Sequence, residues 1–336
     1  MSVTNIIFDP EGDLLLRLLE PKTGSAVEDK VGPSAPEATS MEEFHMLVSS
    51  KHLKLASPVF RAMFQPGFLE GQILQSQARA QIDMPDDDPE AFGLLMNAIH
   101  GLSSKMPITV NLKTLTALAL VVDKYQSEAT FPYAQRWCLV LGDAFDWKNA
   151  PMSGIVSWLC ICWVFKMPQS FKMVSRVAER RSSSRLKAVD LPLPEIVLDR
   201  IEAKRQSAID EIIQDLNLNY TKLSSKVLQC RHNPGAPTIR EIKFACDSKV
   251  LGTLIKGLAT QDLWPLPKAP YEGLSFDTVV TRVRDAKFNA PCTEKHFTPS
   301  FKANKVEKDM DGLDLDTLMS VEKTSKTLQQ LNLSKS

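Results

Sequence analysis

A scattered group of residues in the last third of the chain could bind a metal ion. Its members are Cys230, His232, Cys246, Cys292 and His296. Cysteine and histidine are the usual ligands of zinc, and the Cys-x₃-His spacing at the end of the group can place both side chains on one face of a helix. The chain has no pair of CxxC sequences, however, so the pattern favours separate thiols and surface histidines over a zinc site. We therefore expect no cofactor and keep these five residues as weak candidate ligands.

Two further motifs carry reactive groups in settings that favour structure over chemistry. Cys160-x-Cys162 is conceivable as a redox pair, but its spacing is not CxxC and its neighbours are aromatic and aliphatic, so core packing is favoured. Asp86-Asp87-Asp88 could bind a hard cation through its carboxylates. Pro89 follows directly, which favours Asp88 as the N-cap of a helix with its neighbours near the positive end of the helix dipole.

A basic segment, Arg180-Arg181-Ser182-Ser183-Ser184-Arg185, allows three interpretations. Phosphate on its serines would make a locally basic loop neutral or acidic. The same residues resemble a weak nuclear-import patch. A solvated linker is the interpretation that the polar composition favours.

Sequence motifs for enzymatic chemistry are missing from the chain. It contains no GxGxxG or Walker A loop, no GxSxG and no HExxH, and none of its five histidines has a nucleophile in an interpretable context. We expect a protein that is not an enzyme and has no small-molecule substrate.

Composition and charge limit the partners further. Forty basic and forty acidic residues cancel in a chain of 336 residues, so no basic excess points to nucleic acid. Asp9, Glu11 and Asp13 stand where a signal peptide needs a basic start and an apolar run. The most apolar stretch, Ile155 to Phe165, is about half of the ~20 residues that span a bilayer. We expect no nucleic-acid or membrane partner and a cytoplasmic or nuclear location, or both.

The first 145 residues alternate short strands with well-punctuated helices. Apolar runs predict strands over 13–19, 44–48 and 82–84, and residues 21–43 read as a surface loop. Helices are predicted after three N-cap residues, which are Ser57, Asp88 and Asn111. A further helix is expected over about 127–145.

The remainder of the chain reads as mainly helical. Residues 146–295 form one region with a linker near 179–193, followed by a long amphipathic helix whose apolar residues begin at Ile201. Helices are also expected near 249–258 and 276–288. The segment 296–336 is polar and is expected to be flexible, or to form a short helix that docks elsewhere.

Residues 12–145 resemble the BTB/POZ domain, and in particular the large fungal group of BTB-domain proteins. Gly12-Asp13 before an apolar strand fits the start of that domain. The segment from Val48 to Phe64 looks like its signature after the second strand, and 82–92 looks like its third strand and next helix. The residues that carry the likeness are Asp13, Leu53, Ser57, Phe60, Met63, Phe64, Asp88 and Phe92.

The resemblance implies an α+β fold, with about three strands packed with about five helices. Two features depart from the family's pattern. Ser49-Ser50 occupies the place where the family often has His-Lys or His-Arg, and only about a dozen residues precede the first predicted strand. The second departure argues against the dimer that many long-form members build by exchanging an N-terminal helix and strand.

The function that the resemblance implies is protein-protein interaction. The partner would be a second copy of the chain or another protein, such as a cullin scaffold. It would bind the surfaces of the helices in 58–145. The first alternative is a substrate adaptor for a cullin-type ubiquitin ligase. The second is a nuclear regulator that acts through the Cys/His metal site.

Overall fold

A computed structural model describes residues 2–21, 41–231, 238–289 and 299–333. The chain divides into two units. The N-terminal unit consists of Met1–Asp146, Cys160–Lys166 and Asp190–Pro192. The C-terminal unit consists of Trp147–Leu159, Met167–Val189 and Leu193–Ser336. The protein is α+β, with a small four-stranded sheet near the N-terminus and a mostly helical remainder.

The N-terminal unit contains four strands and six α-helices within the described residues. These are β1 (Ser2–Ile7), β2 (Leu14–Pro21), β3 (Met41–Val48), α1 (Ser50–Ala56), α2 (Pro58–Met63), α3 (Leu69–Ser76), β4 (Ala80–Asp83), α4 (Pro89–Ile99), α5 (Leu112–Tyr125) and α6 (Phe131–Ala144). Short 3₁₀ turns cover Ser103–Lys105 and Glu128–Thr130. Helix α7 (Met152–Val164) begins in the C-terminal unit, and its residues from Cys160 onward belong to the N-terminal unit.

The sheet has the strand order β1-β3-β2-β4. Strands β2 and β3 are antiparallel, with Leu16 opposite Met46, and β4 runs parallel to β2. Leu14, Leu16 and Leu18 are fully buried, because alternate residues of a strand point to the same face. The three strands predicted from apolar runs are confirmed.

The expectation of about three strands is wrong by one. Residues Ser2–Ile7 form β1, which pairs in parallel with β3 at one edge of the sheet. Apolar periodicity misses this strand because Val3 and Ile7 are exposed, and its stabilisation comes from backbone hydrogen bonding along β3. Most of the loop expected over 21–43 lies outside the described residues.

The three predicted N-caps are confirmed. Ser57 Oγ accepts a hydrogen bond from the Phe60 N–H at 3.1 Å, and Asp88 Oδ1 accepts one from the Ala91 N–H at 2.8 Å. Asn111 Oδ1 likewise accepts from the Thr114 N–H at 2.9 Å. Each cap satisfies an amide that the helix itself leaves without an acceptor, and so fixes where α2, α4 and α5 begin.

The C-terminal unit is built around the long helix α9 (Glu195–Leu223). Its other helices are α8 (Pro168–Arg181), α10 (Ile239–Ala259), α11 (Phe276–Asp285), α12 (Pro299–Asp309) and α13 (Leu315–Leu333). The apolar stripe predicted on α9 is buried, and its main members are Ile201, Ala208, Ile209, Ile212, Ile213 and Leu216. One core cluster joins α9 to apolar residues of α10, α11 and α12.

A buried arginine lies on the same helix. The Arg205 side chain is fully buried, and its guanidinium donates hydrogen bonds to the carbonyl oxygens of Pro270, Tyr271 and Leu274 at 2.7–3.2 Å. It also pairs with Glu202, with Nη2 2.7 Å from Oε1. The planar guanidinium thus holds the turn before α11 against α9 through its fixed donors.

The structure refines two expectations for the C-terminal region. The linker expected near 179–193 begins only after α8, which ends at Arg181, and Glu179 on that helix is fully buried. Of the two alternatives for 296–336, the described residues have the docked helix: they contain α12 and α13, and Ala303, Val306 and Met310 belong to the core cluster around α9. Isolated apolar residues in a polar segment are enough for docking when a neighbouring helix already presents an apolar stripe.

None of the helices in the part of the chain that the structure describes combines the length and the apolar character needed to cross a lipid bilayer.

Candidate interaction surfaces

The aromatic residues that carry the sequence resemblance lie together in the core of the N-terminal unit. The rings of Phe60 and Tyr125 stack with centroids 4.3 Å apart, and Phe92 contacts both edge-on at 6.5 and 5.6 Å. Phe64 stacks on Phe60 at 5.7 Å. Leu53 is fully buried as well, whereas Met63 is half-buried. These residues hold α2, α4 and α5 together and are not themselves a surface for partners.

Asp13 and the two serines after β3 tie the sheet to the helices. Both carboxylate oxygens of Asp13 accept hydrogen bonds from Ser50, one from its N–H and one from its Oγ, each at 2.7 Å. Burial by itself would raise the pKa of Asp13, but the hydrogen bonds from Ser50 outweigh it and the pKa lies below its ordinary value. Ser49-Ser50 is the place where the sequence differs from the BTB/POZ pattern, and Ser50 makes this contact there.

Ser49 makes a second connection, to the end of α4. Its N–H donates to His100 Nε2 at 3.0 Å, so this nitrogen carries no proton. His100 Nδ1 then carries the proton and donates to the Met96 carbonyl oxygen at 2.9 Å. Burial lowers the pKa of His100, which fits the neutral ring. His100 is therefore a structural residue that sequence patterns did not single out.

Two residues of the acidic turn before α4 make structural contacts. Asp88 is the helix cap described above. The buried Asp87 carboxylate accepts a hydrogen bond from the Tyr125 hydroxyl at 2.6 Å and from Lys124 Nζ at 2.9 Å. Burial and the bond to Asp87 raise the pKa of Tyr125 far above its ordinary value, which keeps the phenol protonated as a donor.

A groove of about 360 Å³ lies between the start of α2, the end of α5 and the start of α6. Its apolar lining includes Pro58, Val122 and Phe131, and its rim includes Glu128 and Lys166, which form an ion pair. Lys166 Nζ also lies 5.5 Å from the centroid of the Phe131 ring. An apolar floor with a charged rim is the usual composition of a surface that binds another protein.

Exposed apolar side chains occur on several helices and loops of the same unit. Leu139 and Val140 of α6 are 69% and 48% exposed. Others at least half exposed are Leu55, Phe68, Leu69 and Ile108. Single exposed apolar residues are common, but two consecutive ones on α6 offer contact area to a partner.

The five candidate zinc ligands are only partly covered by the structure. Cys230 and Cys246 are buried in one small cluster with Val250. His232, Cys292 and His296 lie outside the described residues. Among residues 2–21, 41–231, 238–289 and 299–333, no group of three or more His, Cys, Asp or Glu side chains is arranged to bind a metal.

The Cys160-x-Cys162 pair is part of the core, as the sequence favours. Both side chains are fully buried, and Cys138 is 5% exposed. Burial raises the pKa of Cys138 and of Cys160 to about 12, and it raises the pKa of Cys162 as well. Because the thiolate is the reactive form, these thiols are protonated and inert at neutral pH.

The basic segment 180–185 combines the end of α8 with the start of an exposed loop. Arg180 pairs with Asp277 at 2.8 Å and with Glu307 at 2.6 Å. Arg185 pairs with Asp199 at 2.8 Å and also with Glu195. Ser183 and Ser184 are exposed, so they are the two serines of the segment that a kinase could reach.

Comparison of the chain with protein-family models and with curated proteins finds no match. The BTB/POZ resemblance therefore depends on the residues of this chain alone.

Proposed function

We propose that this chain is a non-enzymatic protein-interaction protein and that its N-terminal unit works as a BTB/POZ-like module. The observation that carries the proposal is the topology of that unit together with its core. An antiparallel pair, β2 and β3, is followed by three helices, a strand β4 parallel to β2, and three more helices. The signature aromatics Phe60 and Phe92 meet Tyr125 at the centre of those helices.

Two surfaces of this unit are where partners would dock, the groove beside α2 and the exposed part of α6. The groove has an apolar floor at Phe131 and a charged rim, and α6 presents the exposed residues Leu139 and Val140. Binding would bury this apolar area and leave the charges at the edge, which needs no chemistry. Because a fold by itself does not define a function, the topology supports the BTB/POZ-like module, and these two surfaces are the parts of it that would contact a partner.

The test is capture of partners by the full-length chain from its own cells at gentle salt, together with light scattering of the purified chain. We expect a dimer or a specific protein partner. Leu139→Asp should reduce the retained partner or the dimer fraction at least tenfold. The matched control is Leu218→Asp, an equally drastic change at a half-exposed leucine of α9 in the C-terminal unit. A monomer that retains no protein, or equal losses for both variants, would contradict the proposal.

A cullin-type ligase adaptor is the second candidate, favoured by the exposed residues on α5 and α6. The resemblance assigns partner contacts to these helices, where Leu120, Leu139 and Val140 are exposed. Co-purification of a cullin with its ring-finger subunit would support this role. Charge reversal at Lys113 of α5 or at Arg136 of α6, both exposed, should then abolish the co-purification of the cullin. Recovery of other partners without a cullin would support the interaction-module proposal and contradict the adaptor proposal.

A further inference from the structure

The C-terminal unit has a groove of about 580 Å³ beside α8. We call it the basic groove, and define it by Trp147, Met173, Arg176, Val177, Arg181 and Asp277. Met173, Arg176, Val177 and Arg180 are spaced i, i+3, i+4 and i+7 along α8. This spacing places them on one face of the helix, where apolar and cationic side chains are neighbours.

The charges that line this groove are mostly positive. Lys148, Arg176, Arg180 and Arg181 contribute four cations, and Asp277 is the carboxylate among the lining residues. Arg180 is neutralised by Asp277 and by Glu307 of α12. The positive charges of Arg176 and Arg181 raise the local concentration of anionic partners.

Arg181 is fixed in place while its charge stays available. Its Nη1 and Nη2 donate to the carbonyl oxygens of Trp147 and Ala150, each at 2.7 Å. Carbonyl oxygens satisfy these donors but carry no net charge, so they do not neutralise the guanidinium. The two bonds also anchor the segment that presents the Trp147 ring.

Arg176 is the cation with the most freedom to meet a ligand. It is exposed, and in the described part of the chain it makes no hydrogen bond or ion pair. Met173, one helical turn earlier, is 41% exposed. An exposed apolar side chain next to an unpaired guanidinium suits a ligand that has both apolar and anionic groups.

We propose that the basic groove binds an acidic segment of a partner protein that inserts one apolar side chain. Its carboxylates would bind Arg176 and Arg181, because arginine and carboxylate form strong charge-assisted hydrogen bonds. Its apolar side chain would pack against Trp147, Met173 and Val177. This site lies within the C-terminal unit, and it is independent of the two surfaces proposed for the N-terminal unit.

The test is selection of a displayed library of random dodecapeptides on the immobilised full-length chain, followed by fluorescence polarisation of recovered peptides. Peptides that depend on the groove are expected to be rich in Asp and Glu around a large apolar residue. Arg176→Glu should weaken them at least tenfold, and Met173→Ser about fivefold. Lys249→Glu, a charge reversal at an exposed position of α10, should leave binding within twofold.

Three outcomes would overturn the proposal. The first is a selection whose peptides bind the wild-type chain and Arg176→Glu equally. The second is a set of groove-dependent peptides that lack acidic residues or tolerate serine at the apolar position. The third is no recovery above a blank surface. Circular dichroism of each variant shows whether it is folded, and Arg176→Ser repeats the test without introducing a carboxylate near the C-terminal end of α8.

Discussion

A buried carboxyl on α8 gives the sharpest prediction. Glu179 is fully buried, and within the described residues neither of its carboxylate oxygens has a hydrogen-bond partner. Lys204 Nζ lies 3.7 Å from Oε1, but it lies closer to Asp311 at 3.3 Å and to the Gly312 carbonyl oxygen at 2.9 Å. Burial raises the pKa of Glu179 to about 7, since the attraction of Lys204 offsets only part of the burial.

The direction of the effect on stability follows from this pKa. In the unfolded chain the carboxyl ionises near its ordinary pKa of 4.5, and in the folded chain it stays protonated to about 7. Below pH 4.5 both states hold the proton and the free energy of unfolding has no penalty from Glu179. As the pH rises to about 7 the unfolded state loses the proton first, so the folded state is destabilised by about 3 kcal/mol, at roughly 1.4 kcal/mol per pH unit.

Glu179→Gln removes the titration, so the difference in unfolding free energy between variant and wild type should depend on pH. We expect the variant to gain about 3 kcal/mol relative to wild type between pH 4.5 and pH 8, read from urea unfolding at each pH. A cost of burying the amide that does not depend on pH cancels when the values at pH 4.5 and pH 8 are compared. The matched control is Glu272→Gln at an exposed position, which should show little change with pH.

A difference that stays constant within 1 kcal/mol from pH 4.5 to pH 8 would refute the reasoning. It would mean that Glu179 is ionised in the folded state throughout that range, and so that Lys204 neutralises it in solution. The double variant Glu179→Gln, Lys204→Met would distinguish a neutral Glu179 from one paired with Lys204. If the two residues form an ion pair, removing one partner costs more stability than removing both.

Three further predictions follow from single contacts. Arg205→Ala leaves buried carbonyl oxygens without donors, so it should lower the free energy of unfolding by about 3–5 kcal/mol. The control Arg200→Ala, at an exposed position, should lower that free energy by less than about 0.5 kcal/mol. Similar midpoints of urea unfolding for the two variants would contradict the prediction. Tyr125→Phe keeps the ring stacking but removes the hydroxyl donor to buried Asp87, and should cost about 1–3 kcal/mol in the same assay, whereas Tyr133→Phe, at a hydroxyl bonded on the exposed surface, should cost much less. Cys138, Cys160 and Cys162 should not react with a thiol reagent at pH 8 until urea unfolds the chain, and rapid labelling of any of them in the native protein would show that the core opens.

Local chemistry made much of the N-terminal unit predictable. Ser57, Asp88 and Asn111 each precede a helix with an apolar face, and a cap acts within three residues of itself, so the helix starts are visible in the sequence. Strand β2 is also visible in the sequence, as a short apolar run that ends at Glu20-Pro21.

Contacts between distant residues explain what was missed. Strand β1 shows no apolar face of its own and forms through pairing with β3. Arg180 looks like part of a solvated basic run until α12 brings Glu307 to it. The groove beside α2 is equally hidden, since Pro58, Phe131 and Lys166 come from three separate segments of the N-terminal unit. The residues of each such contact are far apart in the sequence. Patterns over a short stretch of sequence therefore do not reveal these contacts.

The packing of α12 against α9 has a consequence for synthesis on the ribosome. Ala303, Val306 and Met310 complete the core around α9, whose apolar stripe is made much earlier in translation. Translation proceeds at roughly 5–20 residues per second, so α12 is made on the order of ten seconds after α9. Until then the apolar stripe of α9 is not covered by α12. During that interval Ile209 and Ile212 lack their final neighbours, and the nascent chain offers chaperones a binding site that the finished protein does not have.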